Sequence, residues 1–137
     1  MTTHALTAKA IREELKRYFP GTKFQVTSRS FSMGDDVSIG WLNGPTTEAV
    51  EKITDKYQEG NFNGMEDIYE YDNRREDIPQ VKYVMTSRSI SPEILENTAK
   101  EIAKRFGFDG NDEHAWIHTL GDWKQQAVYK ELRSKSL

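Results

Sequence analysis

Residues 23–41 read Lys23-Phe24-Gln25-Val26-Thr27-Ser28-Arg29-Ser30-Phe31-Ser32-Met33-Gly34-Asp35-Asp36-Val37-Ser38-Ile39-Gly40-Trp41. Phe24 and Val26 alternate with Lys23, Gln25 and Thr27, the period of a half-buried strand. Met33-Gly34-Asp35-Asp36 is turn chemistry. Val37, Ile39 and Trp41 then alternate with Ser38 and Gly40, so a second strand returns beside the first as a hairpin. Upstream, Ile11, Leu15, Tyr18 and Phe19 recur at helical spacing, with Thr7 as the expected cap and Pro20-Gly21 as the stop. Downstream, Asn43-Gly44-Pro45 breaks the chain. Thr46 then caps a second helix with the stripe Val50, Ile53 and Tyr57.

The rest of the chain extends this alternation. Gly60 to Gly64 reads as a glycine-punctuated loop, Met65 to Tyr71 as a third strand, Asp72 to Gln80 as a polar connection and Val81 to Ser87 as a fourth strand. Ser91 before Pro92 starts a third helix, which runs to about Phe106 with Leu95, Ala99, Ile102 and Phe106 on one face. Trp116, Leu120, Trp123 and Ala127 follow at helical spacing, and Gly121-Asp122 splits that tail into two short helices. The expected order is α-β-β-α-β-β-α-α. It is an α+β fold with an antiparallel sheet and helices packed mainly on one face. The expected organisation is one domain over 1–137, with an α+β core at 8–106 and a helical extension at 107–137.

Composition bounds the chemistry. The chain has 137 residues, 36% hydrophobic and 30% charged, with six Tyr, six Phe and three Trp, which is enough for a folded core. With no cysteine, there is no disulfide, thiol nucleophile or Cys-based zinc site. No basic, apolar leader opens the sequence and no run approaches a membrane span, so a cytoplasmic protein with no membrane partner is expected. Net charge is −3, but the charge is locally polarised. Lys9, Arg12, Lys16, Arg17, Lys23 and Arg29 crowd the first part against Glu13 and Glu14. Glu59, Glu66, Asp67, Glu70, Asp72, Glu76 and Asp77 crowd the middle against Arg74 and Arg75. Such polarity orients a charged partner, although two solvated faces give the same pattern.

No catalytic constellation emerges. Serines are plentiful, but none sits in a Gly-x-Ser-x-Gly setting. His114 and His118 share a helix face without a His-Glu-x-x-His pattern, and an amphipathic helix around Trp116 and Ile117 accounts for them equally well. Gly60 and Gly64 are not followed by the Lys-Ser/Thr of a phosphate loop. Glu66 and Glu70 share a strand face, as solvated carboxylates commonly do. No enzyme activity and no cofactor are expected.

One internal echo stands out: Thr27-Ser28-Arg29-Ser30 against Thr86-Ser87-Arg88-Ser89, each at the end of an expected strand. Turn-favouring Ser and Thr produce such echoes by themselves. If instead both arginines lie at one sheet edge, they form an anion site, because guanidinium suits phosphate and carboxylate.

A family likeness rests on Ala8-Lys9-Ala10-Ile11-Arg12 through Phe19-Pro20-Gly21-Thr22-Lys23-Phe24, on Ser38-Ile39-Gly40-Trp41 and Gly44-Pro45-Thr46, and on Gly60-x-Phe62-x-Gly64-Met65 followed by Asp67 and Tyr69-x-Tyr71. Together these words, over roughly residues 8 to 72, resemble one of the large polyvalent protein-associated domain families. The resemblance implies a mobile-element origin, in phage and plasmid proteins that enter the recipient cell with the DNA and are associated with countering host defences. It carries over no catalytic residue. The chain departs from that setting in reading as a small stand-alone protein, which fits a free inhibitor of the anti-CRISPR or antirestriction type.

The expectation is therefore a binding protein whose partner is a host defence protein, a nuclease or a CRISPR effector. The acidic residues Glu66, Asp67, Glu70 and Asp72 would face a basic nuclease groove in place of phosphates. Tyr69 and Tyr71 would anchor the interface, since Tyr and Trp dominate hot spots, and Trp41 is divided between that role and the core. Arg74 and Arg75 lie in the polar connection where a binding loop is expected, and Arg29 and Arg88 complete the candidate set. The alternative partner is nucleic acid, met by the helix carrying Lys9, Arg12 and Lys16.

Overall fold

A computed structural model describes residues 2–137. The fold is α+β, and it falls into two compact units, one ending at Ser89 and one spanning Ile90–Leu137.

The first unit opens with α1 (Thr3–Tyr18), followed by β1 (Gln25–Phe31) and β2 (Gly34–Leu42). Thr2, not Thr7, caps α1, its hydroxyl accepting from the Ala5 N–H. Thr7 lies one turn inside, buried, with its hydroxyl donating to the Thr3 carbonyl. A threonine satisfies either position, so spacing alone does not choose between them. α2 (Thr47–Thr54) begins at the expected cap Thr46, whose hydroxyl accepts from the Ala49 N–H at 3.1 Å, and ends in a short 3-10 turn. Two three-residue strands follow, β3 (Asn61–Asn63) and β4 (Ile68–Glu70), and then β5 (Tyr83–Ser89).

The main sheet has the order β1-β2-β5. β1 and β2 form the expected antiparallel hairpin, with Val26 opposite Ile39. β5 joins parallel to β2, with Trp41 opposite Arg88, so the sheet is mixed where an antiparallel one was expected. An antiparallel neighbour needs only a tight turn, whereas here α2 and the long segment after it carry the chain back before β5 begins. The expected third strand does not join this sheet. Gly64 to Asp67 form a turn, and β3 pairs with β4 as a separate small hairpin, Phe62 opposite Tyr69.

α1 and α2 cover one face of the main sheet. Ala8, Ile11 and Leu15 meet Val26, Val37, Ile39, Trp41 and Val50 in one buried cluster. Each buried Val, Ile or Leu side chain of this cluster contributes about 1.5–3 kcal/mol relative to exposure. A second tie is polar: Glu14 of α1 accepts from the Tyr57 hydroxyl and from Lys56 Nζ at 2.6 Å. Burial pushes the Glu14 carboxyl up, but those hydrogen bonds and the Lys56 and Arg17 charges outweigh it, and the net shift is downward. The other face carries Gln25, Thr27, Ser38, Gly40, Met85 and Ser87.

The second unit holds α3 (Pro92–Phe106), α4 (Glu113–Leu120) and α5 (Lys124–Leu132). α3, grouped by sequence with the α+β core, shares its buried cluster with the last two helices: Ala99, Ile102 and Ala103 pack with Trp116, Ala127, Val128 and Leu132. Gly107 turns left-handed (φ 73°) and ends α3. Phe106 is thereby left exposed, and Phe108 becomes the aromatic that meets Trp116, edge-on at 4.9 Å. No helix is long and apolar enough to cross a membrane among the described residues.

Candidate functional site

The β3–β4 hairpin is the part of the first unit that the apolar cluster does not absorb. Its tightness starts at Gly60, where a Cβ would fall 1.9 Å from the Glu70 carbonyl oxygen, so only glycine lets the two backbones approach. The turn is closed by Asn63, whose side-chain oxygen accepts from the Met65 and Glu66 N–H groups at 3.0 and 3.3 Å. Asp67 takes a left-handed conformation (φ 54°), which Asp tolerates better than most residues.

Period-2 geometry gives the hairpin two unlike faces. Phe62, Tyr69 and Tyr71 share one; Asn61, Asn63, Ile68 and Glu70 share the other. On the polar face Asn63 Nδ2 donates to Glu70 and Asn61 Nδ2 donates to Asp72, at 2.9 and 3.2 Å. On the aromatic face Tyr69 is the anchor. Its hydroxyl donates to the Lys82 carbonyl, and its ring packs against Tyr71 at 4.7 Å and Tyr83 at 5.5 Å. Burial first, then the Glu59 charge, pushes the Tyr69 phenol up to about 12, so it remains a donor at neutral pH.

Lys82 joins this hairpin to the β1–β2 turn. Its ammonium lies 5.0 Å from the Tyr69 ring centroid and 5.6 Å from that of Tyr83, and it donates to the Met33 carbonyl at 3.0 Å. Asp35 Oδ1 accepts from the Lys82 N–H. The connection after β4 is held as firmly. Buried Gln80 donates to the Lys56 and Asn73 carbonyls and accepts from the Arg75 N–H. The hairpin base is thus fixed while its tip projects: Met65 is 99% exposed, Phe62 57% and Ile68 48%. Single exposed apolar residues are ordinary, but several beside Tyr71 on one short element make this hairpin the candidate contact surface.

The expected site residues divide. Glu66, Asp67, Tyr69, Glu70, Tyr71 and Asp72 come together on this hairpin and its exit. Among the described residues no cation pairs with Glu66, Asp67, Glu70 or Asp72. Arg74 joins them, its guanidinium 4.2 Å from the Tyr71 centroid and 3.7 Å from Glu59. Arg75 pairs instead with Asp77, through Nη2 at 2.5 Å.

Arg29 and Arg88 are not brought together. Arg29 lies in register with Asp36 and Arg88 with Trp41, so the two point to opposite faces of the sheet. Arg29 compensates the nearly buried Asp36 carboxylate at 2.8 Å. Arg88 donates to the Asn43 and Gly44 carbonyls at 3.2 and 2.9 Å, holding a loop whose φ angles are both positive. The repeated tetrapeptide therefore occupies both edge strands without forming one anion site. Trp41 belongs to the core, its indole N–H donating to the Pro45 carbonyl. Phe62, Met65 and Ile68 went unselected in the sequence. Their signal is apolar side chains between turn residues in strands too short to bury them.

Lys9, Arg12 and Lys16 are exposed on α1, and Arg12 also donates to the Val26 carbonyl at 2.9 Å. His114 is exposed at the start of α4, and among the described residues no three His, Asp or Glu side chains are grouped to hold a metal ion.

The family model described as large polyvalent protein associated domain 29 matches residues 2–92. That span coincides with the first unit, hairpin included, and stops at the start of α3. No curated protein matches the chain, and no solved structure matches it.

Proposed function

The chain belongs to the large polyvalent protein associated domain 29 family, and we propose that it binds another protein through its β3–β4 hairpin. The family associates the chain with phage and other mobile elements. The protein acts as a non-enzymatic binder that inhibits a host defence component, of the anti-CRISPR or antirestriction type, in the cytoplasm of the bacterial host. The observation that carries this reading is the hairpin tip, where exposed Phe62, Met65 and Ile68 stand among carboxylates that, among the described residues, no cation pairs with. Exposed apolar residues beside the unpaired tip carboxylates Glu66 and Asp67 suit a protein groove of the opposite sign, such as the basic groove of a nuclease.

The test is phage or plasmid survival in a host that carries the targeted defence system. Wild-type protein should restore plating. A Met65→Ser/Glu66→Lys/Asp67→Asn variant should lose that protection while its melting temperature stays within about 2 °C of wild type, as expected for surface changes under ~0.5 kcal/mol. Asn is chosen at position 67 because it tolerates the positive φ there. Full protection by the variant would refute the hairpin as the contact surface.

A second reading, nucleic-acid binding, is favoured by the exposed basic side of α1. It expects a gel shift that weakens steeply with salt and that Lys9→Glu/Lys16→Glu abolishes. No shift at low salt removes it.

A further inference from the structure

The second unit carries a groove that neither the family match nor the hairpin accounts for. It has a volume of about 540 Å³ and lies between α3 and α5, with Leu95 and Val128 among its apolar lining. Two aromatic residues also line it, Trp123 at 55% exposure and Tyr129 at 39%. Trp123 begins as an expected core residue, in helical phase with Trp116 and Ala127. The break at Gly121 (φ 74°) removes it from that stripe and leaves it as the cap of α5. Among the described residues, neither ring packs against another ring or a cation, and neither the Trp123 indole N–H nor the Tyr129 hydroxyl has a hydrogen-bond partner. The other two tryptophans do donate, Trp41 to Pro45 and Trp116 to Gly110.

The charges of the groove are unbalanced. Glu96 and Lys124 face each other at 3.9 Å, a loose pair that cancels itself. That leaves Glu113, a lining carboxylate with no cation partner among the described residues. An apolar floor, two open aromatic rings and one uncompensated carboxylate define a ligand with an apolar body and a cationic end. Arginine meets this description better than lysine, because its guanidinium stacks on a ring while its edge donates to a carboxylate. We propose that the α3–α5 groove is a peptide-binding site for a partner segment presenting an arginine beside an apolar residue. The arginine stacks on Trp123 or Tyr129 and pairs with Glu113, and the neighbouring apolar side chain covers Leu95 and Val128. All of the lining except Pro92 lies beyond the matched family region, and the site is independent of the hairpin reading.

The test uses the full chain and two blocked pentapeptides, Ala-Leu-Arg-Leu-Ala and its citrulline counterpart, which keeps the shape and loses the charge. The three tryptophan indole N–H signals are followed by nuclear magnetic resonance, with Trp123 assigned from a Trp123→Phe variant. The arginine peptide should shift the Trp123 signal and leave those of Trp41 and Trp116 in place. The citrulline peptide, and the arginine peptide on Glu113→Gln, should each bind about 3- to 10-fold more weakly, the scale of an exposed cation–π or ion-pair contact. Three results would overturn the proposal: no Trp123 shift at millimolar arginine peptide, equal affinity for the two peptides, or a Trp123 signal that moves with protein concentration alone as sedimentation shows a dimer. The last would assign the groove to a second copy of the chain.

Discussion

The main sheet and the β3–β4 hairpin use similar residues to opposite ends. In the sheet, apolar side chains at alternate positions of β2 disappear beneath two helices, and Trp41 is 4% exposed. In the hairpin the same alternation places Phe62, Tyr69 and Tyr71 on one face, yet only Tyr69 is substantially covered. The difference is the second layer. A strand of seven to nine residues supports a helix, while a three-residue strand cannot, so its apolar face stays exposed. The hairpin is also fixed at its base by Gly60, Tyr69 and Gln80, so the binding proposed for it would carry little ordering cost.

The comparison breaks if substitutions in the two places have the same effect. The largest stability loss is expected for Trp41→Ala, which empties a core position and orphans the Pro45 carbonyl. It should cost about 3–5 kcal/mol in chemical denaturation. Arg29→Ala comes next. It strips the partner from a carboxylate whose side chain is only 4% exposed, at a cost of about 1–3 kcal/mol. Arg29→Ala/Asp36→Ala should recover part of that loss, which a double-mutant cycle measures.

The Glu14 tie has a pH signature. Its folded pKa lies below the ordinary 4.5, so its contribution is complete above that value and is lost as pH falls through the folded pKa. Glu14→Gln should be less stable than wild type near neutral pH, and the gap should narrow as pH drops below about 4.5, in melting curves across that range. The smallest stability effect belongs to the hairpin tip. Met65→Ser should change unfolding free energy by no more than about 0.5 kcal/mol, because Met65 touches solvent almost everywhere.

What the sequence revealed follows the range of its signals. The β1–β2 hairpin, the Thr46 cap, the Ser91-Pro92 helix start and the Gly121 break are local, and the structure bears them out. The acidic and tyrosine residues from Glu66 to Asp72 also lie together, since neighbours in sequence on one short element cannot be far apart. The parallel entry of β5 was hidden because strand direction depends on where a long connection delivers the chain. The separation of Arg29 and Arg88 was hidden for a related reason: in two identical tetrapeptides, the arginines meet Asp36 and Trp41, an odd offset along β2, and so face opposite ways. The exposure of Phe62 and Met65 was hidden because it depends on the absence of a covering layer, which no local pattern records.

The most direct measurement is photo-crosslinking in living host cells, with a photoreactive residue placed in turn at Met65, at exposed Ser87 on β5 and at Arg12 on α1. The account expects one discrete protein adduct from position 65 and none from positions 87 or 12. A nucleic-acid adduct from position 12, with no protein adduct from position 65, would contradict it.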